Sequence, residues 1–105
     1  MISLAGEWDI YRREELRERL APAYREGRVV LDLTAAKYVT STLICALVVA
    51  HKHREKHRMP PASLAVKSAF VRRLLNATGL EGLFPTYDSV EEALADERLF
   101  TENAV

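Results

Sequence analysis

Val29, Val30, Leu31 and Leu33 form an almost unbroken apolar run, interrupted only by Asp32. A strand with one wet face alternates apolar and polar residues, whereas a run of this kind is a central strand covered on both faces. The strand is expected from Arg28 to Thr34. It constrains the whole fold, because a layer of structure must lie over each face. Shortly after it come Thr40, Ser41 and Thr42, followed by an apolar helix. Hydroxyls at a helix start stand beside backbone N–H groups without intrahelical partners, and a phosphate would be well placed there.

The rest of the chain alternates strand and helix signals. Ile2 to Trp8 has a loose two-residue alternation and reads as a strand. Asp9 or a neighbour can cap the helix that follows. Leu16, Leu20, Ala23 and Tyr24 are spaced for a helix from Tyr11 to Arg25, which Gly27 ends. Ala35 to Val39 reads as a connection. Leu43, Ile44, Leu47 and Val48 predict the buried stripe of a helix from about Ser41 to Arg58. Its last turns, His51 to Arg58, are polar and basic, which suits the negative end of the helix dipole. Pro60-Pro61 breaks the chain, and Leu64-Ala65-Val66 is a short strand. Phe70, Val71, Leu74 and Leu75 mark another amphipathic helix, ended by Gly79, and a brief strand is expected near Pro85 to Tyr87. Ser89 and Glu92 form a capping-box pair ahead of Ala93, Leu94 and Leu99. Alternating strands and helices predict an α/β layer fold with parallel pairing.

At 105 residues the chain is long enough for one domain with its own core. That domain is expected over residues 1–100, with 101–105 a disordered tail. Fifteen basic and fifteen acidic residues give a formal charge of zero. Such a balance does not favour nucleic acid or an anionic membrane as partner. Met1 to Gly6 lacks a basic leader and runs straight into Glu7, and the apolar run Leu43 to Ala50 is too short to span a bilayer, so a cytoplasmic location without membrane insertion is expected. The single cysteine, Cys45, sits in that apolar run and reads as a small core residue. His53 and His57 have metal-compatible spacing, but nothing completes a site, so they read as a solvated helix end and no metal is expected. Asp32 is either a functional buried carboxylate or, on the favoured reading, a strand-end carboxylate that accepts loop N–H groups. Trp8 is either a core residue or an exposed anchor for a partner. Ser41 lacks a G-x-S-x-G setting and a placed His–Asp pair, so no enzyme and no cofactor are expected.

Five segments together resemble the STAS domain family, which includes the anti-sigma-factor antagonists. Leu4-Ala5-Gly6-Glu7-Trp8-Asp9-Ile10 is similar to the family's L-x-G-E-L-D-I opening, and Val29 to Thr34 to its V-V-L-D-L-S strand. Tyr38 to Ile44 lies where the family has F-I-D-S-S-G-L. Phe70 to Leu75, with Thr78-Gly79-Leu80 and Phe84, resembles the late segment, and Ser89 to Leu94 the final helix. The resemblance implies an α/β, STAS-like single domain: a small mixed β-sheet with about four helices packed mainly on one face. An edge strand before Ile2 is expected to be shortened or missing, leaving a sheet edge through which a homodimer could form.

The resemblance also implies a function. A family antagonist binds an anti-sigma factor, often a serine kinase using Mg-ATP, and so frees the sigma factor. The kinase phosphorylates a serine of the D-S-S-G motif, the complex dissociates, and a phosphatase resets it. By position that serine is Ser41, with Thr40 and Thr42 as alternative acceptors. Asp9, Thr40, Ser41, Thr42 and the exposed side of the following helix are the implied partner surface. Here Thr40 replaces the family Asp, and Leu43 replaces the Gly, placing a bulky residue at the helix start. The alternative function is a non-switched STAS subunit of a membrane transporter, bound to its cytoplasmic ATPase.

Overall fold

The computed structural model describes residues 1–96. Its strands are β1 (Ile2–Ser3), β2 (Gly6–Trp8), β3 (Val30–Asp32), β4 (Ala36–Val39), β5 (Ser63–Ala65) and β6 (Thr86–Tyr87). Its α-helices are α1 (Arg13–Leu20), α2 (Ser41–Lys56), α3 (Ala69–Ala77) and α4 (Val90–Ala95). Strands β1, β3, β5 and β6 lie in that order in one sheet, and β2 and β4 pair separately. All these pairs are parallel. The result is an α/β domain with four helices packed against the strands. Leu99 and residues 101–105 lie outside the described residues.

The apolar run becomes β3, in the interior of the larger sheet. Leu31 pairs with Ile2 on one side and Leu64 on the other. Val29, Val30, Leu31 and Leu33 are all buried, together with Leu4, Leu16, Leu20, Leu47, Leu75 and Phe84. Asp32 lies at the strand end, where Oδ1 accepts from the Thr34 N–H at 3.0 Å and the Thr34 hydroxyl at 2.6 Å.

Three segments differ from expectation. The single strand expected over Ile2 to Trp8 is two strands joined at Gly6. The Leu4 N–H donates to Asp32 and the Gly6 N–H to Ala35, so the chain follows its neighbour through a bend. Gly6 has φ 82° and the register shifts there. The expected connection at Ala35–Val39 contains β4. Its Ala36 and Val39 are buried while Lys37 and Tyr38 are exposed, so it lacks the alternation that marks a strand in sequence. The helix expected over Tyr11–Arg25 is a 3₁₀ turn at Ile10–Arg12, then α1, then a second 3₁₀ turn at Ala21–Tyr24 containing Pro22.

Helix α2 carries two corrections. Its buried stripe is Leu43, Leu47, Ala50 and Arg54. Cys45 is exposed and not a core residue, because two residues turn a helix by about 200° away from Leu43. Arg54, read as part of a solvated basic end, is only 1% exposed. Its Nε donates to the Pro60 carbonyl at 2.8 Å, Nη1 to Ala23 and Glu26 at 2.8 Å, and Nη2 to Gly27 at 2.6 Å. The guanidinium thus satisfies three carbonyls at and just after the second 3₁₀ turn, and a fourth in the loop that follows α2. Burial lowers its pKa from the usual arginine value.

The remaining caps follow sequence rules. The Ser89 hydroxyl accepts the Glu92 N–H at 3.1 Å, while Glu92 reaches back to the Asp88 N–H. Arg28 donates to the Ala93 and Leu94 carbonyls at the end of α4. Ser68 caps α3, whose Val71 and Leu75 are buried. Phe70 faces outward and stacks on Tyr38, with ring centroids 6.0 Å apart.

Candidate functional site

The site forms where β2 and β4 end side by side. Trp8 pairs with Val39, which sets Asp9 and Thr40 at the same level. Each then starts a helix. Asp9 caps the Ile10–Arg12 turn, its Oδ1 accepting the Tyr11 N–H at 3.0 Å. Thr40 caps α2 in the same way, its hydroxyl accepting the Thr42 N–H at 3.3 Å. That hydroxyl also donates to the Trp8 carbonyl at 3.0 Å, locking the two strand ends together.

The three hydroxyls expected at this helix start are therefore not equivalent. Thr40 is occupied as both donor and acceptor. Thr42 is half-buried. Ser41 is exposed, and its hydroxyl has no hydrogen-bond partner among the described residues. The first turn of α2 contains no acidic residue that would repel an anion there. Leu43 is 1% exposed, so its side chain enters the core and leaves Ser41 uncovered. The structure brings Asp9, Thr40, Ser41 and Thr42 to one end of the domain. Trp8 lies beneath them, fully buried, and so is not an exposed anchor.

Arg12 holds the base of the site. Its guanidinium lies 3.7 Å from the Trp8 ring centroid and donates to the Glu7 carbonyl at 2.7 Å. Its other donors reach both carboxylate oxygens of Glu15 at 3.1 and 3.0 Å. The Arg12 hydrogen bond holds the Glu15 carboxyl below the ordinary carboxylate range, and the same bond raises the Arg12 pKa.

A groove of about 410 Å³ runs from this end between α1 and α2. Ile10, Arg13, Leu16 and Leu20 form one wall; Ser41, Cys45, Ala46 and Val49 form the other. Leu16 and Leu20 are buried, whereas Ile10 is 62% and Val49 56% exposed. Ile10 and its neighbour Tyr11, 92% exposed, were not anticipated as surface features. The available signal was their position before the Leu16–Leu20 stripe begins. Elsewhere on α2, His53 is half-buried, its Nε2 3.0 Å from the Tyr24 carbonyl, and is not fully solvated. Among the described residues, no three His, Cys, Asp or Glu side chains cluster to hold a metal. Nor is any helix among them long and apolar enough to cross a membrane.

Comparison with known proteins agrees with this architecture. The model of the STAS domain family matches residues 1–93. An anti-sigma factor antagonist from Mycobacterium paratuberculosis has a similar crystal structure, with TM-score 0.71 and 21% identity over 91% of this chain and 82% of that one. A sulfate transporter family protein from Wolinella succinogenes is equally similar, with TM-score 0.71 and 21% identity over 95% of this chain and 84% of that one. These likenesses extend the shared fold to both kinds of protein. With the family match covering nearly all of its described length, the chain belongs to the STAS domain family, a regulatory and non-catalytic class of interaction module.

Proposed function

We propose that this domain is an anti-sigma-factor antagonist switched by phosphorylation of Ser41. The observation that carries this reading is the division of labour at residues 40–42. Thr40 performs the capping, so Ser41 is left exposed at the first position of a sixteen-residue helix. A kinase can reach that hydroxyl without dismantling the cap. The partner is an anti-sigma factor that is itself a serine kinase. It docks on Asp9, Thr40, Ser41, Thr42 and the exposed flank of α2, and a phosphatase restores the unmodified form. The setting is the cytoplasm.

Phosphorylation would add nearly two negative charges at pH 7. At a helix N-terminus these are favourable for the helix itself. The cost falls on the interface, through desolvation and like-charge repulsion. About 3 kcal/mol would weaken binding roughly a hundredfold, since each 1.4 kcal/mol is a factor of ten.

A second reading is a non-switched STAS subunit of a transporter, bound to its ATPase. It is favoured by Thr40 standing where the family has Asp, and by the equal likeness to the Wolinella transporter-family protein. Incubation of the protein with host lysate and Mg-ATP, followed by mass spectrometric mapping, separates the two. Phosphate on Ser41 that disappears in Ser41→Ala supports the switch. An unmodified chain that co-purifies with a transporter ATPase refutes it and supports the second reading.

A further inference from the structure

We infer that the groove between α1 and α2 receives an acidic, amphipathic helical segment of the partner protein. The inference rests on the proposed partner-binding role and specifies the chemistry of what binds. Its first basis is shape. On α2 the groove-lining Ser41, Cys45 and Ala46 are small, so although α1 and α2 touch, their outward-facing edges leave an open trough. Buried Leu16 and Leu20 lie along its α1 wall, while Ile10 and Val49 stand exposed at its margins. An apolar trough between two helices accepts a third helix through residues spaced i, i+3, i+4 and i+7.

Its second basis is charge. Among the described residues, the charged ones lining the groove are Arg13 and Arg17, and no carboxylate lines it. Arg17 is paired with Glu14 at 2.7 Å. Arg13 is exposed and has no ion-pair partner among the described residues. Arg12 and Arg19, on the same stretch of chain, both pair with Glu15. Arg13 is therefore the cation available to a carboxylate arriving with the partner. Ser41 lines the same groove, so a phosphate there would repel that carboxylate and compete for Arg13.

The test places photoreactive benzoylphenylalanine at Val49, on the margin of the groove, or at Glu91, away from it, in the full chain within host cells. Cross-linked segments are then identified by mass spectrometry. The expected adduct at position 49 is a protein segment of net negative charge with helical apolar spacing, absent from the position 91 sample. Arg13→Glu should cut its yield at least tenfold and Arg13→Lys much less, both with unchanged melting temperature. A basic or uncharged segment, a lipid adduct, a second copy of this chain, no adduct, or indifference to Arg13→Glu would each overturn the inference. The phosphate mapping described above is independent. A modified Ser41 without an acidic adduct sinks only the groove occupant, whereas an acidic adduct on a chain never phosphorylated sinks only the switch.

Discussion

Thr40 and Ser41 are adjacent hydroxyl residues with separable physical roles. Thr40 satisfies the Thr42 N–H and bonds the Trp8 carbonyl, so Thr40→Ala should lower stability by about 1 kcal/mol through loss of the cap. Ser41→Ala removes an exposed hydroxyl and should change stability by less than about 0.5 kcal/mol. Urea denaturation of both variants checks this, and the pair tells a capping defect from a signalling defect in any binding assay. Arg54 makes a different point. Its guanidinium serves four carbonyls and pairs with no carboxylate among the described residues, so Arg54→Met would leave those acceptors dry and should cost ~3 kcal/mol or more. Arg54→Lys should recover only part, because an ammonium cannot match the planar fork. Position 54 was legible as a helix residue in register with Leu43 and Leu47. Its burial was not, since an arginine is ordinarily placed in water and three of the four carbonyls it meets, those of Ala23, Glu26 and Gly27, lie 27 to 31 residues away in sequence.

At the level of elements, periodicity located α2, α3, β3 and β5 well because each presents a one-sided or continuous apolar pattern. Strand β4 was missed because a strand exposing two successive residues carries no such pattern, and only its pairing with β2 makes it a strand. Gly6 marks where the chain passes from one sheet to the other. At φ 82° an alanine Cβ would still find space, meeting Arg12 Nη1 at 3.7 Å, so the penalty is in the backbone. Gly6→Ala should therefore destabilise by about 1–2 kcal/mol in chemical denaturation, without repacking the core. The link between Arg12 and Glu15 predicts a pH effect. The folded-state pKa of Glu15 is lowered, so its stabilising contribution is complete above the unfolded-state value and fades as the pH falls through the folded one. Urea midpoints measured from about pH 6 down to pH 3 should fall less steeply for Glu15→Gln than for the parent chain.

For the whole molecule, parallel strands require crossovers, and here those crossovers create the end that carries the candidate site. Strands β2 and β4 deliver two helix starts to the same level, and α1 and α2 leave a groove leading away from them. Local spacing and motifs read in order are enough to establish the α/β class, the central strand, the start of α2 at Ser41, the Ser89 cap of α4 and the STAS family. Which hydroxyl is occupied and which is exposed, that Cys45 faces out while Arg54 faces in, and that an arginine-edged trough lies beside Ser41 emerge when the chain is folded in three dimensions. Those outcomes depend on groups far apart in the chain, on how much space opposing side chains leave between helices, and on which polar atoms are left needing a partner once the core has closed.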